Sequence, residues 1–348
     1  MLDRGQDKYI LAKGGSGLGD RTLAAATAIL YGQISGRKVI IDWTEGTYAP
    51  RGVNAFHVFF DSPSVSDLDD LPATDSIYPP TWKGQLDQTF GGRKEQLKIR
   101  GTDAISTDLS RVDYEEEILV FCSYGPKISQ MRNLFTGDFK KYSQLNNSEI
   151  LKYLLSNFFV LKPNIKKDFD GFIKSYFPAS TKMIGIHIRY SDRKIPVETI
   201  YKTLDRVRRR NPDSALFLAT DSQAILEDFK AKYDRVITTE KWYPPSGETL
   251  HQNWNQCPDM LQNGLEALRD LYLLSQCQML IFSSRSSFGY VASLLSSRSK
   301  LYDIAQPSFL QKLIIKLKTI GIFWTSGKKY LPRYLPGASL APLPQKKG

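Results

Sequence analysis

A chain of 348 residues is long enough for two domains that each bury a core, and 41% hydrophobic with 24% charged residues and no repeat is the composition of a water-soluble α/β protein. The net charge of +11 suggests a nucleic-acid partner only until it is mapped: eight of those charges fall in residues 306–348, which contain no acid, so the rest carries +3 and is no polycation. Three cysteines without a CxxC pair and only three histidines exclude a disulfide framework and a zinc or His-based metal centre. The first eight residues are charged where a signal peptide would be apolar, and no run of ~18 apolar residues could span a bilayer, so a reducing, cytoplasmic location is expected.

In chain order, residues 9–12 read as a strand that enters the glycine loop Gly14-Gly15-Ser16-Gly17-Leu18-Gly19-Asp20. A helix over about 21–35, stopped by Gly36, and a strand over 37–43 complete a β–loop–α–β unit. Residues 44–115 are rich in Pro, Gly, Asp and Ser and predict long loops. A strand at 118–122 and a helix at 147–160 follow, and the boundary between domains is expected near 161–164. The second half alternates more regularly. Strands at 183–189, 215–219, 235–238 and 279–282 are separated by helices at 197–210, 223–233 and 262–276, with a last helix starting near Phe288. Such alternation predicts a parallel, doubly wound sheet whose ligand sits beyond the carboxyl ends of the strands.

Three of those ends are polar. His187 and Arg189 share a face of their strand, with Asp192 in the loop beyond, and an Arg fork suits two oxygens of a diphosphate leaving group. Thr220-Asp221 ends the next strand, where the carboxylate could accept from a ribose or a base, or could simply cap a helix. Ser283-Ser284 opens a Ser-rich turn whose hydroxyls and N–H groups suit a phosphate, or equally a cap. The glycine loop lacks both the P-loop lysine and a third glycine at position 20. It is either a phosphate or sugar cradle or a tight turn capped by Asp20. Asp270, on a helix, reads by default as an exposed carboxylate.

Taken in order, Gly185-Ile186-His187-Ile188-Arg189-Tyr190-Ser191-Asp192, Phe217-Leu218-Ala219-Thr220-Asp221 and Asp270-Leu271-Tyr272-Leu273-Leu274-Ser275-Gln276-Cys277 with Phe282-Ser283-Ser284 resemble the motifs of the α1,6-fucosyltransferases and rhizobial nodulation fucosyltransferases. Both lie within the wider GDP-fucose O-fucosyltransferase superfamily. The similarity covers about residues 180–293, with a weaker stretch near 10–45. The resemblance implies a GT-B-like fold, two Rossmann-like domains with a cleft between them, here 1–165 on the acceptor side and 166–305 on the donor side. It implies an inverting glycosyltransferase that moves fucose from GDP-fucose to a glycan-type hydroxyl, with no metal or other cofactor. The same architecture with another nucleotide sugar, or a catalytically silent sugar-nucleotide binder, are the alternatives.

By position, the resemblance gives Arg189 the diphosphate and the departure of GDP, His187 and Asp221 the nucleotide, Ser283 and Ser284 the phosphates, and Asp270 an ordering role. Gly17, Gly19 and Asp20 are similar to the superfamily's glycine loop and join the donor-binding set. Two departures stand out. Tyr190 replaces the second basic residue common after the motif Arg, and Val197 occupies the place of the proposed base, with Glu198 one step later. Glu198, or failing that Asp192, is the expected base, since attack on a carbon of oxocarbenium character needs only a weakly basic carboxylate. The tail, 306–348, places Lys312, Lys316 and Lys318 among apolar residues and ends in aromatic and basic ones. Peripheral contact with an anionic membrane face or a packed terminal helix would both explain it.

Overall fold

The structure is a computed structural model that describes residues 7–191, 195–244, 256–296 and 299–306. The candidate base Asp192 and all of the basic tail beyond Gln306 therefore lie outside the described residues. No helix among the described residues is long and apolar enough to cross a membrane.

The first sheet is built on β1 (Tyr9–Lys13), β2 (Lys38–Asp42) and β6 (Ile118–Cys122), with the short β4 (Val65–Ser66) and β5 (Ile77–Tyr78) at its edges. Its order is β4-β2-β1-β6-β5, and every pair is parallel. Between β1 and β2 runs α1 (Leu18–Ser35), whose Ala- and Leu-rich surface is buried along most of its length. It stops at Gly36, which takes the left-handed conformation (φ 70°) that a residue with a Cβ resists. The loop-rich stretch holds only short pieces: α2 (Ala55–Phe59), β3 (Phe60–Asp61) and α3 (Phe90–Gln96).

After β6 come α4 (Asn147–Phe158), β7 (Val160–Leu161) and α5 (Pro163–Tyr176). Asn146 and Glu149 close a reciprocal capping box at the start of α4. Pro163 opens α5 at the position where its missing N–H is no loss. β3 and β7 form a small antiparallel pair beneath edge-to-face contacts among Trp43, Phe56, Phe60 and Phe159.

The second sheet contains β8 (Met183–Ile188), β9 (Ala215–Thr220), β10 (Val236–Ile237), β11 (Met279–Phe282) and β12 (Lys300–Asp303) in the order β10-β9-β8-β11-β12, again all parallel. Its helices are α6 (Val197–Arg209), α7 (Gln223–Lys232), α8 (Met260–Gln276) and α9 (Ser287–Leu295). The doubly wound arrangement agrees with the expected one, with β12 as an added edge strand. β8, β9 and β11 are buried at every position, as continuous apolar runs covered by helices on both faces must be. The described residues up to Ala305 form one compact unit. Within it, α9 packs on both α1 and α4, so helices from the two halves of the chain touch beside the strand ends.

Candidate active site

One cavity lies beyond the carboxyl edges of both sheets. On the first-sheet side it is bounded by the loop that turns β1 into α1. Gly17 is the N-cap of α1 and lies in extended backbone, so Asp20 is not the cap expected from the sequence but a first-turn residue. Its carboxylate accepts the Ser16 hydroxyl at 2.8 Å. The Leu18 N–H donates to the Tyr48 hydroxyl at 2.8 Å.

Gly19 has a different task. A Cβ there would stand 2.4 Å from the backbone of Ser287 and Phe288, the first turn of α9. The missing side chain thus lets two helix N-termini meet at the cavity. Each brings N–H groups that have no partner within their own helix and about half a positive charge, and together they favour an anion.

The second sheet contributes the ends of β8 and β9. Arg189 follows immediately after β8, and its guanidinium Nε lies 3.2 Å from the Asp221 carboxylate in an ion pair. Asp221 also accepts the Tyr190 N–H at 2.7 Å and the Ser191 hydroxyl. Both of its oxygens are therefore engaged in shaping the turn that aims Arg189. Tyr190 serves that turn through its backbone, a role a second basic residue would fill no better.

His187 is 5% exposed and stacks on Phe288 with ring centroids 5.1 Å apart. Gly289 makes this possible, because a Cβ there would lie 2.8 Å from the imidazole Nδ1. Burial lowers the imidazole from its ordinary 6.5 to about 4; the Asp221 charge opposes the shift, and Arg189 and Lys241 add to it. The ring is accordingly neutral at pH 7.

Because the folded value lies below the unfolded one, the unfolded chain binds the proton more tightly. This contribution to stability is complete above about pH 6.5 and is lost as pH falls from there toward 4. His187→Asn should remove roughly 2–3 kcal/mol of the acid sensitivity in that window. The measurement is the difference in urea midpoints between pH 7 and pH 4.5. An unchanged difference would show that the ring is not held neutral by burial.

The third wall is α8. Asp270 is buried, contrary to its default reading as an exposed carboxylate, and accepts the Thr239 hydroxyl at 2.6 Å while pairing with Lys241. Burial is the strongest single influence and pulls the Lys241 ammonium down, but the Asp270 charge and hydrogen bond together with Tyr243 and Glu266 outweigh it, and the net direction is upward. One turn earlier, Glu266 accepts the Trp242 N–H at 3.1 Å and the Gln262 amide at 3.0 Å. The segment after β10 is thereby fastened along α8.

Gly17, Gly19, Asp20, His187, Arg189, Asp221 and Asp270, singled out from the sequence, all line this one cavity. Ser283 and Ser284 do not. The Ser283 carbonyl accepts the Ser286 N–H at 3.0 Å in a turn, and the Ser284 N–H donates to Asp303 at 2.9 Å. That turn carries the chain onward, so Ser286 and Ser287, at the start of α9, face the cavity in their place. Glu198 is exposed in the first turn of α6 and is not among the lining residues. Sequence reasoning missed Tyr48, Lys241, Trp242, Asn263, Glu266 and Arg285. Only Arg285 carried a usable signal, as a cation beside a helix N-terminus. Among the described residues no three His, Cys, Asp or Glu side chains assemble a metal-binding group.

Two parallel, doubly wound sheets whose strand ends share a cavity make the protein GT-B-like. Residues 149–320 match the sequence model of the NodZ family, nodulation protein Z, and the resemblance to the rhizobial nodulation fucosyltransferases holds. Nodulation protein Z of Bradyrhizobium diazoefficiens is 24% identical, over 87% of this chain and 83% of that protein. The Azorhizobium caulinodans protein of the same name is 25% identical, over 88% of this chain and 94% of its own. Among solved structures, NodZ α1,6-fucosyltransferase soaked with GDP-fucose superposes with a TM-score of 0.56 at 20% identity, covering 83% of this chain and 93% of that one.

Proposed function

We propose that the protein is an inverting glycosyltransferase that transfers fucose from GDP-fucose to a saccharide hydroxyl without a divalent metal. The observation that carries this reading is the meeting of two helix N-termini with an Arg189 guanidinium held by Asp221, all facing one cavity. A departing GDP gathers negative charge on its β-phosphate. Preorganised N–H groups and a guanidinium stabilise that charge as it develops, which is the part a metal ion plays elsewhere. The structure soaked with GDP-fucose belongs to a protein of the matched family, and its donor is the one assigned here.

In the proposed step the acceptor oxygen attacks the anomeric carbon on the face opposite the phosphate. The C1–O bond to GDP breaks, and the acceptor proton passes to a carboxylate. Among the described lining carboxylates, Asp221 and Asp270 are committed to Arg189 and Lys241, and Glu266 has one oxygen on the Trp242 N–H and the other on the Gln262 amide. Asp20 has one carboxylate oxygen on Ser16 and stands on the first-sheet side of the cavity. We therefore assign the proton to Asp20 rather than Glu198.

Calorimetry in EDTA should show micromolar or tighter GDP binding, at least tenfold stronger than UDP. Equal affinity for UDP would remove the GDP assignment. In a transfer assay with GDP-fucose, Asp20→Asn should retain GDP affinity within twofold and lose roughly a hundredfold or more in rate. If Glu198→Gln is instead the inactive variant, the base lies on α6.

A further inference from the structure

The strand edge of the first sheet carries a feature that the donor site does not use. β6 runs parallel to β1 with Cys122 opposite Lys13, so the residues after Cys122 emerge beside the glycine loop. The second of them, Tyr124, is 46% exposed, a large ring facing solvent on the edge where ligands of parallel sheets bind.

Its ring is held on two sides. Phe90, itself buried, lies 4.8 Å away in a tilted stack. Lys94 donates to the Tyr124 hydroxyl at 2.9 Å and stands 4.7 Å from its ring centroid. A braced ring has already lost its rotamer freedom and presents a fixed apolar face at little further entropic loss.

The surroundings have been kept open. Gly91 follows Phe90 and Gly125 follows Tyr124; a Cβ at either would meet nothing within 4 Å, and neither has a positive φ. Packing and backbone conformation therefore do not demand glycine there, and Gly91 lies inside a helix where glycine is unfavourable by about 1 kcal/mol. Each ring of the Phe90–Tyr124 pair is thus followed in sequence by a residue without a side chain. Phe90 also packs directly on Gly15, the neighbour of Ser16 and Gly17 in the cavity wall. The Tyr124 ring is thus on the order of 10 Å from that wall, a few residue steps. That is the reach of one or two pyranose units from the donor sugar.

We propose that Tyr124, braced by Phe90 and Lys94, is the platform on which the acceptor saccharide lays the apolar face of a pyranose ring. This rests on the glycosyltransferase reading. The ring is flat and amphipathic, the glycines that follow Phe90 and Tyr124 leave open space where a Cβ would stand, and the place adjoins the glycine loop of the donor cavity. Asp20, in the first turn of α1, then faces the acceptor hydroxyl and not the nucleotide.

The test uses the full-length protein, saturated with GDP, on an array of chito-, cello- and manno-oligosaccharides and N-glycan cores, with GDP affinity measured in parallel. The wild type should bind at least one glycan. Tyr124→Ala should weaken that binding at least tenfold while GDP affinity stays within twofold, and Tyr124→Trp, which restores a ring, should recover most of it. Equal glycan binding by Tyr124→Ala, or no glycan bound by a wild type that binds GDP, overturns the proposal. A wild type that binds glycans but no GDP instead overturns the donor reading and leaves the platform standing.

Discussion

Arg189→Lys should lower kcat/KM for GDP-fucose by tens- to several hundredfold, roughly 2–4 kcal/mol of transition-state stabilisation. Lysine keeps the charge but has no planar fork. It cannot hold Asp221 through one nitrogen and present others to a diphosphate. The loss should fall mainly on kcat, because the contact strengthens as charge moves onto the leaving GDP. Folding should be unaffected to within about 1 kcal/mol, since the side chain lies at the end of β8 and not in its packed length. Asp221→Asn should follow the same kinetic pattern through the loss of aim. If Arg189→Lys turns over at a near-normal rate, the guanidinium does not touch the developing charge.

Lys241→Met should destabilise the protein by roughly 3–5 kcal/mol, because it leaves the buried Asp270 carboxylate without its counter-charge. The side chains of the pair are 5% and 6% exposed, so water cannot take over. The double variant Lys241→Met with Asp270→Asn removes both charges and should recover most of the loss, as seen in urea denaturation at pH 7. Burial lowers Lys241, but Asp270, Tyr243 and Glu266 together raise it further, so the contribution of its charge is complete below its ordinary value of 10.5 and is lost only as pH climbs beyond it. Equal losses in single and double variants would mean that Lys241 contributes packing and not charge.

Much of the frame was legible along the chain. β6, β8 and β11 stand where their apolar runs lie, because a strand covered on both faces needs a continuous apolar segment. α1 starts at Leu18, three residues before its expected start, since Gly17 can cap a helix in extended backbone with no side chain. Ser283 and Ser284 were displaced by a turn, because a strand end marks where the backbone leaves the sheet and not where the next helix presents its first N–H groups. β12 went unnoticed, its residues being half exposed and short of the apolar pattern that marks an interior strand.

The sequence by itself determined the alternation of strands and helices, the polar strand ends and the motif residues, since each of these is a local pattern of side-chain chemistry. Only the tertiary structure decided what those residues touch. It set Gly19 against the start of α9, paired Asp270 with Lys241 and Asp221 with Arg189, and left Glu198 in solvent. Spacing along a chain reports which face a side chain occupies, but the partner on that face comes from a distant segment. Which segment arrives there is chosen by the packing of all the helices and strands together.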